Sequence, residues 1–202
     1  MSEQETWTTE EFGPSHTGSV GVLLADGTVP PPVHLPTNSG AGGPSVSQWS
    51  VYDGAGFGHG PRAVALRAVC SCGWNGPEHP LDWNEIADQD FYEAGAGSAD
   101  TCMRDWDTHT VDVDRSATPL PEAVDDLLTQ LQDRVEKLTK TSPLAALRAA
   151  RRMEVAAAEA GYWAAHGARS DATVAQAATA LGLSEHETKK VMARFGRWSL
   201  YH

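Results

Sequence analysis

A chain of 202 residues allows one domain of ordinary size or two small ones with modest cores, which excludes a peptide toxin or a large enzyme. Lys and Arg number 15 against 27 Asp and Glu, a net charge of -12, so a protein coated in positive charge is excluded but a local basic face is not. Apolar residues make up 41% with no run near the ~18 needed to span a bilayer, and the start MSEQETWTTEEF lacks the segments of a signal peptide. A cytoplasmic protein outside the membrane is expected.

Three cysteines are too few for a disulfide framework and point to metal binding, catalysis or plain burial. The charge is uneven: residues 1–140 carry 7 basic and 22 acidic side chains, whereas residues 141–202 carry 8 and 5. Two functional halves follow, with the basic excess in the second.

Residues 1–45 hold 24 Gly, Pro, Ser or Thr, which predicts a flexible arm relieved only by a short hairpin at Asp26-Gly27. The apolar stretch 48–52 and the alternating stretch 63–74 predict a β-hairpin with a long loop, Val64, Leu66, Ala68, Cys70 and Cys72 sharing a face. The glycine-rich loop 54–60 does not have dinucleotide-binding spacing and reads as a connector.

A short helix is expected over 83–93, ended by Gly95, then a second capped by Ser98 in which Cys102, Trp106, His109 and Val113 form one stripe. Val124, Leu128, Leu131, Val135 and Leu138 keep the period of a coiled-coil seam, which predicts a homodimer. Ser142-Pro143 opens a further helix over 144–165 with Leu144, Leu147, Met153 and Ala157 inward.

The metal reading rests on Cys70-Ser71-Cys72-Gly73-Trp74, because residues i and i+2 of a strand project to one side and Gly73 lets the chain turn around an ion. A structural Zn2+ needs two more ligands. His109 is the leading candidate. Cys102, the softer donor on the same stripe, is preferred for the fourth place, with His79 competing from a loop. Two buried thiols beside a core histidine are the alternative.

At the C-terminal end, residues 174–193 have the spacing of a helix-turn-helix, with Ala178 at the close approach, Gly182 in the turn and Ser184 with Glu187 as a capping box. Lys189, Lys190, Arg194 and Arg197 are candidates for phosphates of double-stranded DNA, and His186, Thr188 and Lys189 for base edges. This segment, from VAAAEAGYWAAHGARSDATVAQAATALGLSEHETKKVMARFGRW, resembles the terminal part of bacterial helix-turn-helix proteins. The CSCGW segment with Trp106 and His109 resembles zinc-knuckle-like regions of small proteins from high-GC bacteria. The resemblance implies a regulator.

The expected fold is α+β: an arm over 1–45, a small zinc-bound β-hairpin with helices over 46–118, a helical hairpin over 119–169 and a helix-turn-helix over 170–202. The expected function is a dimeric DNA-binding transcriptional regulator. The alternative is a zinc-stabilised adaptor with a protein partner and no DNA. No paired motif suggests an enzyme.

Overall fold

Residues 18–23 alternate small and branched side chains and so make a strand that is tolerated with both faces covered. The computed structural model of the protein describes residues 5–34 and 45–198 and is α+β, with small antiparallel sheets and several helices. The chain divides into two units, Met1–Arg115 and Ser116–His202. Among the described residues no helix is long and apolar enough to cross a membrane.

In the first unit β1 (Thr6–Trp7), β2 (Gly18–Leu23), β3 (Val33–His34) and β4 (Ser45–Val46) precede β5 (Ala65–Cys70) and β6 (His79–Pro80). The main sheet has the order β1-β2-β5-β6, all antiparallel, with Gly18 opposite Cys70 and Leu23 opposite Ala65. Two expectations are corrected here. The stretch 1–45 supplies the central strand β2, because Val20 and Val22 bury against the core; Gly42, Gly43 and Pro44 lie outside the described residues. The partner of β5 is β2 and not 48–52, where Trp49–Val51 forms a single 3-10 turn.

The buried face of β5 follows the expected alternation through Leu66, Ala68 and Cys70, while Val64 is exposed. Full burial of Leu66 contributes roughly 2 kcal/mol. Trp49 is also buried, its ring edge-on to Phe91 at 5.1 Å, and the Trp83 indole N–H donates to the Ala63 carbonyl at 2.6 Å.

Helix α1 is one turn, Trp83–Ile86, and α2 runs unbroken over Phe91–Ser116. Gly95 therefore does not end a helix. A Cβ there would lie 2.6 Å from the Trp49 ring, so glycine marks a close approach of α2 to the core. Cys102 and Trp106 of the expected stripe are buried.

The second unit contains α3 (Glu122–Thr141), α4 (Pro143–Asp171), α5 (Val174–Leu181) and α6 (Glu185–Gly196). No residue of α3 is buried, so the predicted seam stands largely exposed. Leu144 and Leu147 were expected inward, yet Leu144 is 82% exposed and it is Ala146 and Ala165 that α4 buries. An alanine-rich helix carries apolar atoms on every side, and its small face admits the nearest neighbour. Thr173 and Gln176 form a capping box for α5, Gly182 turns the chain at φ 61, and the Ser184 side chain accepts from the Glu187 N–H to start α6.

Candidate metal centre

The turn after β5 is built by its own backbone. The Gly73 N–H donates to the Cys70 carbonyl and the Cys70 N–H to the Trp74 carbonyl, both at 2.9 Å, and Gly73 takes φ 97, which glycine accepts without strain. Both cysteines of the C-x-C pair are thereby turned to one side. Ser71 between them ties the turn to the segment before β2. Its N–H donates to the Thr17 carbonyl at 2.9 Å, its Oγ accepts from the Thr17 N–H at 2.9 Å, and it donates to the Ser15 carbonyl at 3.0 Å.

These bonds hold His16, the last residue of the 3-10 turn Gly13–His16 and only 2% exposed, against Cys70. His16 Nδ1 lies 3.5 Å from Cys70 Sγ, and His109 Nε2, from α2, lies 3.4 Å from Cys72 Sγ. The Trp74 ring stacks on His109 at 4.3 Å and 4°, and the Trp74 N–H donates to Cys72 Sγ at 3.4 Å. The donor atoms of His16, Cys70, Cys72 and His109 all lie within 4.8 Å of one another, and the four could hold a metal ion. Tetrahedral zinc with ordinary bond lengths separates its ligands by about 3.3–3.8 Å. The two sulfur–nitrogen distances already match.

The electrostatics suit a cation. The hydrogen bond from Cys72 pulls the Cys70 thiol down to about 4 against the opposing effect of burial. Cys72, as that donor and as a partly buried group, is pushed up. Burial holds His109 below the usual imidazole range, against the upward pull of Cys70, so its ring is neutral near pH 7 and keeps a lone pair for a metal. Among the described residues Trp106 Nε1 is buried without a hydrogen-bond partner, yet the indole is near enough to favour the Cys70 thiolate.

The structure brings together three of the residues expected at the centre, Cys70, Cys72 and His109, and adds His16. Cys102 is corrected out of the set. It is fully buried in the core, burial and then Asp105 push its thiol up to about 12, and seven residues of unbroken α2 separate it from His109 by about 10 Å. His79 is also elsewhere: it pairs with Leu66 across the sheet, and its Nε2 meets Asp105 Oδ2 at 2.6 Å. His16 was missed because it is 54 residues from Cys70 in a segment read as flexible. A histidine just before the alternating Val20 and Val22 is the one local signal available.

The residues expected to meet DNA lie on α6 or at its end. His186, Lys189, Lys190, Arg194 and Arg197 are exposed, Lys190 pairing with Glu187 at 2.7 Å. Thr188 is corrected: it is 0% exposed, on the inward side of α6 with Ala193 and Gly196, and cannot reach a base edge while the helix is packed. Compared with known proteins, the chain matches no family model, no curated protein and no solved structure.

Proposed function

We propose that the protein is a zinc-stabilised DNA-binding regulator, with Zn2+ held by His16, Cys70, Cys72 and His109 in the first unit and duplex DNA met by the second. The observation that carries the metal half is the four-donor cluster. Two thiolates and two neutral imidazoles suit zinc better than calcium or magnesium, which take oxygen ligands. Four protein donors fill a tetrahedron and leave no open place for a substrate, which favours a structural ion.

Zinc binding is expected to release about one proton from the two thiols together at pH 7 rather than two, because the hydrogen bond between them holds Cys70 below and Cys72 above the usual thiol range. Calorimetric titration in buffers of different ionisation enthalpy counts that proton. Two protons from the thiols would show that the pair does not share one in the metal-free protein.

Three features support the DNA half: two short capped helices, α5 and α6, joined through a left-handed glycine; a row of exposed cations on α6; and the basic balance of residues 141–202. Glu185 and Glu187 in the first turn of α6 favour Lys189 over the start of the helix as the reading residue. Lys189→Ala is expected to weaken binding by about 1–3 kcal/mol and to change the preferred sequence. Selection from a random duplex pool checks this, and intact protein that selects no sequence would favour the adaptor reading. The regulator reading includes a pair of chains joined through the exposed apolar stripe of α3, among them Leu127, Leu128 and Leu131. Sedimentation as a monomer at the concentrations of that titration would remove the pairing.

A further inference from the structure

Acids outnumber bases in this chain, yet three arginines of the second unit each lie against an aromatic ring. The Arg169 guanidinium of α4 lies 5.0 Å from the Trp198 ring centre, Arg197 lies 5.4 Å from Tyr162, and Arg194 lies 4.6 Å from Phe195. His166 links the first two stacks, 5.1 Å from Trp198 and 4.6 Å from Tyr162. The third joins them at Gly161, where a Cβ would stand 2.4 Å from the Phe195 ring. Among the described residues none of the three arginines is in an ion pair, whereas Arg151, also on α4, pairs with Glu154 at 2.8 Å.

A guanidinium laid over a ring spends its flat face on the contact and keeps its N–H groups, all in the plane, turned outward. Stacking also restricts the side chain beforehand, so less freedom is lost when an anion is bound. Arg197 carries a second mark. It ends α6 at φ 57, a left-handed conformation that glycine adopts more easily. An arginine there gives up some backbone ease for a side chain that reaches Tyr162.

We infer that Arg169, Arg194 and Arg197 form a preorganised phosphate-binding surface for the backbone of duplex DNA, extending the contact from α6 onto the C-terminal part of α4. This rests on the DNA-binding reading above and deepens it. Planar forks match phosphate oxygens two at a time, and arginines carried on two helices can meet more than one phosphate. The contacts are to phosphate, so they set affinity and register for all sequences alike.

The test is titration of the zinc-loaded 202-residue chain with a random-sequence duplex pool from about 50 to about 200 mM salt. Arg169→Gln and Arg197→Gln are each expected to make the slope of log affinity against log salt shallower by about 0.9, and Arg151→Gln to leave it unchanged. Should a Gln variant lose its helical circular dichroism, Arg169→Lys decides: weaker binding at an unchanged slope supports the surface, and unchanged binding overturns it. Folded Gln variants with the wild-type slope, beside a Lys189→Gln variant that loses slope, would overturn the α4 surface and leave DNA binding by α6 standing. A wild-type protein that binds no duplex at the lowest salt would overturn both, and a preference for single strands would overturn the duplex assignment.

Discussion

His16→Ala is expected to lower the affinity for zinc by about a hundredfold or more, while Cys102→Ala and His79→Ala keep one zinc per chain. The magnitude follows from the chemistry: loss of a residue that merely orients a ligand already costs 10–100-fold in typical sites, at about that order, and His16 would be a ligand itself. The contrast follows from position. His16 Nδ1 stands 3.5 Å from Cys70 Sγ, whereas Cys102 lies fully buried in the core and His79 is engaged by Asp105. Elemental analysis with competition by a chromophoric chelator reads both quantities. Because the site joins three separate pieces of chain, the binding energy of a zinc ion there would be folding energy, on the order of 10–16 kcal/mol in small zinc domains. Chelation should therefore expose amides of β2 and β5 to hydrogen exchange well before those of α4. Zinc retained at full affinity by His16→Ala, or lost from Cys102→Ala, would overturn this ligand set.

The second large effect concerns the wall behind the sulfur atoms. Trp106, 3% exposed, lies over Gly18, and a Cβ on Gly18 would stand 2.6 Å from its indole. Gly18 is opposite Cys70 across the β2–β5 pair, so the missing side chain makes room for the indole beside the candidate metal centre. Trp106→Ala is expected to destabilise the zinc-loaded protein by about 3–5 kcal/mol through the cavity it leaves. Gly18→Ala is expected to cost about 1–3 kcal/mol by overpacking. With Trp106 already reduced to alanine, the clash is gone and the second substitution should be nearly neutral. Urea denaturation of the four proteins measures the coupling, expected at about 1–3 kcal/mol. Simple additivity would mean that the indole does not exclude a side chain at Gly18.

The cysteine turn was legible because everything it needs is local. Two thiols at i and i+2, a glycine able to take φ 97 and a following tryptophan fall within five consecutive residues. The cap of α6 was legible for the same reason, since a hydroxyl reaches an amide three residues on: Ser184 accepts from the Glu187 N–H at 3.2 Å. Spacing on α2 also gave His109 and Trp106 one side of a helix, and both stand at the cluster.

What spacing did not carry is which side of a helix faces inward when every side is apolar or small. On α4 the larger residues Leu144 and Leu147 suggested one face, and packing chose the alanines. Thr188 failed in the opposite sense. A hydroxyl was read as facing a groove, yet its Oγ1 is buried without a hydrogen-bond partner among the described residues.

By itself, then, the sequence determined the elements whose partners lie within a few residues: the thiol pair with its Gly73 turn, the Gly182 turn, the Ser184 cap and the basic excess of the second half, whereas Ser98 and Gly95, read as a cap and a stop, lie inside unbroken α2. Only the tertiary structure decided what meets across long separations. The pairing of β2 with β5 carries His16 to Cys70 over 54 residues, and unbroken α2 keeps Cys102 a full two turns from His109. The reason is physical. A cap or turn is fixed by bond geometry along the chain, whereas a cluster of donors exists only after strands have paired in one register, and that register is set by the burial of Val20, Val22, Leu66 and Ala68 together.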